Sequence, residues 1–281
     1  MPYHDRPSDE KNFYLFEHRE VLADDHFHSS PEFVFWEEGQ ILVTINGEQR
    51  LLQAGEACFS AGFTIHSYRR ASATNRGYVL IVPKKYADRM FNIFKQKNPP
   101  PFFKFSDYRL LEFLFSLCNK PYKKEEHQQG VFESAIQILY NAIADKYNFV
   151  ERQKDSHDYL VSEILNYAAD NFNKSLTLDV LSKKFGYARE TLSRMLHKFL
   201  GESWNSYVNR LRVYRAQRMM HENPTLSILE IAFECGFNSS NTFYRAYARE
   251  FGYSPRTTPG FYGTPPPRKI ANPKTISRPK S

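Results

Sequence analysis

The 281-residue chain has little cysteine, and what it has is scattered. Cys58, Cys118 and Cys235 stand far apart and are odd in number, so they form neither a disulfide framework nor a Cys-x-x-Cys metal knuckle. That usage suits a reducing cytoplasm. Long apolar runs are missing too. The longest strongly apolar stretch, Tyr78–Val82, is far too short to span a bilayer, so no membrane partner is expected. The opening residues, Met1–Glu10, lack the apolar core of a secretory leader. What is present is a globular supply of side chains. Hydrophobic residues make up 41% and charged ones 25%, which excludes a chain disordered throughout. Aromatics reach 16%, enough to fill cores and leave rings for a ligand pocket.

Charge is divided unevenly. Residues 1–173 carry a net −4, residues 174–256 a net +6, and residues 257–281 a net +5 with no acidic side chain. A basic second half beside a mildly acidic first half points to a polyanionic partner, or else to a merely solvated basic face. Patterning divides the chain in the same way. Over residues 12–82, short apolar stretches recur with turn signals between them. Ile41, Val43 and Ile45 alternate with Leu42 and Thr44 up to Asn46-Gly47, a strong hairpin signal, and Tyr78–Val82 reads as a buried strand. Residues 84–150 switch to helical period, with stripes at Tyr86/Met90/Ile93/Phe94, at Leu110/Leu111/Leu114/Phe115/Leu117 and at Val131/Ala135/Ile138/Leu139/Ala142/Ile143. Polar residues 151–158 read as a linker.

The remainder, 159–258, contains an internal repeat. At an offset of 50, Leu178, Leu181, Ser182 and Gly186 match Ile228, Ile231, Ala232 and Gly236. After a one-residue insertion, Leu192, Arg194, Leu196, Leu200 and Gly201 match Phe243, Arg245, Tyr247, Phe251 and Gly252. Thr177 and Ser227 are candidate helix N-caps. Each copy therefore predicts a helix, a glycine turn and a second helix whose outer side is polar: Glu190, Ser193, Arg194 and His197 in one, Ser240, Asn241, Tyr244 and Arg245 in the other. Arginine can give two hydrogen bonds to guanine and asparagine can pair with adenine, while surrounding lysines and arginines grip phosphates. Between the copies, Trp204, Tyr207, Val208, Leu211 and Tyr214 predict one apolar face of a connecting helix, with Arg210, Arg212, Arg215 and Arg218 on its polar side. Two heads on one face of DNA are naturally spaced by one helical turn, ~34 Å.

Leu178–Pro255 resembles the AraC/XylS family of bacterial transcription regulators, most specifically over Ile228–Arg256. The resemblance implies that both second helices enter the major groove, with Glu190, Ser193, Arg194, Ser240, Asn241 and Arg245 facing bases. Ala188 stands where the family often has a serine cap, which predicts a weaker start to the first reading helix. The tail, 259–281, is Pro-rich and basic and reads as a disordered extension.

In the first half, His26-Phe-His28, three residues, Glu32, six residues and Gly39 resembles the first motif of the cupin barrels. Gly55, five residues, Ala61 and then His66 resembles the second, with Ala61 where proline is usual. In metal-binding cupins such positions carry the ligands, here His26, His28, Glu32 and His66, a set suited to Fe, Mn, Ni or Zn. The same residues could instead hydrogen-bond an effector with no metal, and no cofactor is required. Phe33, Phe35, Trp36 and Tyr68 would stack on a sugar or fill a dry core. The expected architecture has two domains. The first is an all-β cupin-like barrel, 1–83, with a helical segment, 84–150, that pairs subunits into a homodimer. The second is an all-α double helix-turn-helix, 159–258. The expected function is a cytoplasmic, nucleoid-associated regulator, an activator rather than an enzyme. It would bind promoter DNA, RNA polymerase and a small-molecule effector, with a carbohydrate the leading guess. The rival is a metal-dependent cupin isomerase or dioxygenase with an appended helical module.

Overall fold

Ile41, Val43 and Ile45 are buried while Leu42 and Thr44 are half-covered, so this stretch is a strand with one face inward. Asn46 (φ 49°) and Gly47 (φ 84°) then both take the left-handed conformation that a two-residue hairpin needs. The computed structural model describes residues 3–4, 13–17, 23–83, 86, 97–151, 157–222 and 226–257. The predicted stripe around Met90, most of the linker and the basic tail lie outside the described residues. Two compact units divide the chain, Met1–Val208 and Asn209–Ser281.

In the first unit the strands are β1 (Tyr3–His4), β2 (Phe13–Glu17), β3 (Ala23–Phe27), β4 (Glu32–Glu38), β5 (Gln40–Ile45), β6 (Glu48–Gln53), β7 (Glu56–Ser60), β8 (His66–Arg70), β9 (Arg76–Ile81), β10 (Lys97–Asn98), β11 (Phe102–Lys104) and β12 (Val150–Glu151). One sheet runs β1-β3-β8-β5-β6, the other β11-β7-β4-β9-β2, and β10 pairs with β12 alone. Every pairing is antiparallel except β1 with β3. Strand β4 shows how the layers are built. Val34 and Trp36 pack between the sheets with Val43, Tyr68 and Val79. Phe33 and Phe35 point the other way, onto α1 (Tyr108–Asn119) and α2 (Glu125–Ala144), where they meet Leu111, Leu114 and Leu139. Both faces are covered, so β4 reads as an unbroken apolar run. The same alternation removes Phe33 and Phe35 from the set of rings that could line a site between the sheets.

Two further departures have simple causes. Strand β11 pairs with β7, so the sheet extends past residue 83 after an excursion of the chain. Ile138, expected in the third stripe, is 45% exposed. It lies two residues, about 200° of helix, from both Ile136 and Tyr140, which are buried.

Six helices follow: α3 (His157–Asp170), α4 (Leu178–Phe185), α5 (Arg189–Leu200), α6 (Trp204–Glu222), α7 (Ile228–Glu234) and α8 (Ser240–Phe251). Thr177 caps α4 by accepting the Val180 N–H. Ser227 and Glu230 form a reciprocal capping box on α7. Ala188 gives α5 no side-chain cap, as its residue type predicts. Gly186 (φ 75°), Gly201 (φ 69°) and Gly252 (φ 79°) end α4, α5 and α8 in the left-handed conformation. The indole N–H of Trp204 donates to the Leu176 carbonyl at 2.6 Å and fixes the start of α6. That helix is less one-sided than its sequence suggests. Arg210 is buried, as are Val213, Ala216 and Gln217 on the same helix, and the Arg212 guanidinium lies 5.9 Å from the Phe237 ring. Among the described residues no helix is long and apolar enough to cross a membrane. Removing the α4 cap with Thr177→Ala should cost ~1 kcal/mol. Urea denaturation of the full chain measures it, and an unchanged midpoint would contradict the cap.

Candidate functional site

His26 and His66 face each other as register partners of β3 and β8, in one sheet, while Glu32 opens β4 in the other. His28 follows β3 directly. All four side chains are buried, and the ligand nitrogens of the three histidines lie within 4.8 Å of one another. Each imidazole is oriented by its own backbone. The Nδ1 atoms sit 2.9 Å from the Asp24 carbonyl oxygen (His26), 2.7 Å from that of Ser30 (His28) and 2.8 Å from that of Thr64 (His66). A carbonyl oxygen only accepts, so each Nδ1 must donate, and the Nε2 side is turned to the cluster. Histidines that ligate metals are held in this way.

Glu32 completes the group. Its Oε1 accepts the Tyr68 hydroxyl at 2.6 Å, and its Oε2 lies 3.0 Å from His28 Nε2. A hydrogen must lie between those last two atoms, so the cluster holds a proton there. His66 Nε2 stands 3.9 Å from Oε2, too long for a hydrogen bond, and is buried with no partner. An orphaned imidazole nitrogen aimed at two other imidazoles and a carboxylate fits a divalent transition ion in its donor set. Burial alone would raise the Glu32 pKa, but the His28 and His66 imidazoles outweigh it and hold the carboxyl well below the usual range. Burial, followed by the neighbouring His66, lowers His26 to about 4.

The loop behind the cluster is tightly built. Phe63 takes a left-handed φ of 60°, unusual for a bulky residue, and its N–H donates to the His28 carbonyl at 2.7 Å. A Cβ on Gly62 would come within 2.3 Å of the Ser29 carbonyl oxygen, so only glycine allows this approach. Tyr68 is the residue whose role the sequence did not disclose. It was expected to offer its ring, and its hydroxyl instead holds Glu32. Its position two residues after His66, on the same strand face, was the available signal.

The repeat supplies a second set of candidate residues. Helices α5 and α8 have equal length and bury corresponding positions: Leu192, Leu196 and Leu200 in one, Phe243, Tyr247 and Phe251 in the other. Arg194 and Arg245 are each the sixth residue of their helix, and both are exposed. Glu190, Ser193 and Asn241 are also exposed, while Ser240 is half-buried. Each helix thus presents an arginine to solvent at the same place over the same buried stripe. A glycine-turned helix pair presenting such a polar face defines a helix-turn-helix DNA-binding protein.

Comparison with known sequences agrees. Residues 181–259 match the family described as a helix-turn-helix domain. The transcriptional activator RhaS of Escherichia fergusonii is 26% identical over 242 residues, covering 83% of this chain and 86% of that protein. RhaS of Klebsiella pneumoniae is 23% identical over 239 residues, with the same coverage. Among solved structures, ToxT from Vibrio cholerae is similar over 87% of this chain and 97% of its own, at 11% identity and a TM-score of 0.47. The chain carries a helix-turn-helix domain of the DNA-binding kind and is similar over most of its length to transcriptional activators.

Acid should weaken the fold through the histidine cluster. His26 binds its proton near 6.5 when unfolded but only near about 4 when folded. Below pH 6.5 the unfolded chain takes up a proton that the folded chain refuses, so stability is lost as pH falls towards 4, by about 3 kcal/mol at most. His28, His66 and Glu32 are the titratable groups acting on it. His26→Asn should flatten this part of the stability–pH curve in urea titrations, and an unaltered slope would contradict the assignment.

Proposed function

We propose that this regulator senses a ligand at the histidine cluster and adjusts its hold on promoter DNA accordingly. The matched exposure of Arg194 and Arg245 on two equivalent helices carries the DNA-reading part. Glu190, Ser193, Ser240 and Asn241 would share base contacts with them. His26, His28 and His66 would hold a divalent transition metal through Nε2, with Glu32 beside it. When bound, such a metal offers open positions to an oxygen-bearing effector, a carbohydrate being the leading class. Tyr68 keeps Glu32 in place, and the backbone carbonyls keep the rings aimed. Two copies would pair through α1 and α2, whose Phe113 and Ile138 are exposed. Activation would follow the relatives named as transcriptional activators, with RNA polymerase as the expected partner. A promoter-binding protein of this kind would act in the cytoplasm, on the nucleoid.

Footprinting of the full chain on its own upstream DNA, with and without added metal and sugars, tests this reading. Arg245→Ala should weaken specific binding by ~1–3 kcal/mol and leave non-specific binding intact. An equal loss on random DNA would rule out base reading. His66→Ala should remove the ligand response while DNA binding without ligand persists, and a normal dose–response curve would take His66 out of the site.

A further inference from the structure

We infer that occupancy of the histidine cluster is passed to the first reading helix through a direct aromatic contact, Phe27 against Phe199. This rests on the cluster being the ligand site. Phe27 lies between His26 and His28 in the chain. Successive side chains of a strand point to opposite faces, so two imidazoles enter the cluster while the phenyl ring between them leaves it. That ring is 1% exposed, and its centroid lies 5.1 Å from that of Phe199 on α5 and 6.4 Å from that of Phe63.

Each end of this contact is tied to something functional. On the barrel side, His26 is paired across the sheet with His66, and the His28 carbonyl holds the Phe63 N–H. Gly62 presses on Ser29 with no room for a side chain. The loop that carries Phe63 also supplies the Thr64 carbonyl that orients His66. A ligand that draws His26, His28 and His66 onto itself therefore shifts the seat of Phe27 and Phe63 together. On the helix side, Phe199 is not among the fully buried residues of α5, which are Leu192, Leu196 and Leu200. It is half-buried, and Arg194 is on the same helix. A ligand shifts an equilibrium only by binding its two states differently, and this contact makes the states differ. The Phe27–Phe199 contact restrains α5 when the cluster is empty, and loading loosens it.

The test uses full-length protein, Co2+ as the probe, and a DNA fragment selected by the wild-type chain from a random pool. Co2+ absorption reports cluster loading, and gel retardation reports DNA affinity. Loading should tighten wild-type binding by about 2- to 10-fold, the scale of one aromatic contact. Phe199→Ala should bind DNA without Co2+ as loaded wild type does, and should load Co2+ normally with no further gain. If Phe199→Ala loads Co2+ and still shows the wild-type gain, the coupling is overturned and the site stands. If wild type shows no Co2+ absorption, the site itself falls, and the coupling with it. Circular dichroism and low-salt binding to random DNA check that the variant is folded. If it is not, Phe27→Leu carries the same comparison.

Discussion

The strict two-residue period of a β-strand is the constraint on which the ligand-facing half of this molecule depends. Along His26-Phe27-His28 it sends imidazole, phenyl and imidazole to alternate sides. Along Glu32–Trp36 it sends a carboxylate, Val34 and Trp36 between the sheets, and Phe33 and Phe35 onto the helices. A shift of one residue in either strand would exchange the two sets: in β4 it would put Glu32 into the apolar layer beneath α1 and α2, and in β3 it would put a phenyl ring into the cluster. The cost of burying an unpaired carboxylate makes that exchange prohibitive, so register and site are specified together.

The DNA-reading half obeys a different period and divides its work differently. In α5 and α8 the fourth, eighth and twelfth residues are buried, which leaves the exposed positions between them free to vary without disturbing the fold. The two copies have used that freedom. Glu190, which as a carboxylate only accepts, and Asn241, which both donates and accepts, occupy the same helix position, while Arg194 and Arg245 keep the same one. The first helices differ as well. Leu229 and Phe233 are exposed on α7 where the offset of 50 places Asp179 and Lys183 on α4, so that apolar face is no requirement of the repeat itself.

Much of this was legible before any coordinates, and the remainder was hidden for physical reasons. The hairpin at Asn46-Gly47 and the caps at Thr177 and Ser227 are local: a few adjacent residues decide them. The repeat was visible because its copies share one burial pattern. Strands β10, β11 and β12 were missed because two or three residues cannot show a period. The burial of Arg210 was missed because helical spacing alone put it on the polar side of α6. The four cluster residues could be named from their motif, but the Tyr68 bond to Glu32 spans 36 residues and depends on how the sheets face one another. The Phe27–Phe199 contact spans more of the chain still, and no pattern in either segment announces it.

The cluster also carries its own linkage. Between His28 Nε2 and Glu32 Oε2 a proton now sits where two acceptors would otherwise meet at 3.0 Å. Any cation drawn to the same atoms must displace that proton, because neither atom can serve both at once. A divalent ion taken up in exchange for that one proton would add one positive charge to the cluster. Inside a low-dielectric layer that added charge would be poorly screened. A change of that size bears first on the atoms that touch the rings, the carbonyls of Asp24, Ser30 and Thr64. Those carbonyls lie within three residues of Phe27 or next to Phe63, so the electrostatic and the steric consequences of loading fall on the same short stretch of backbone.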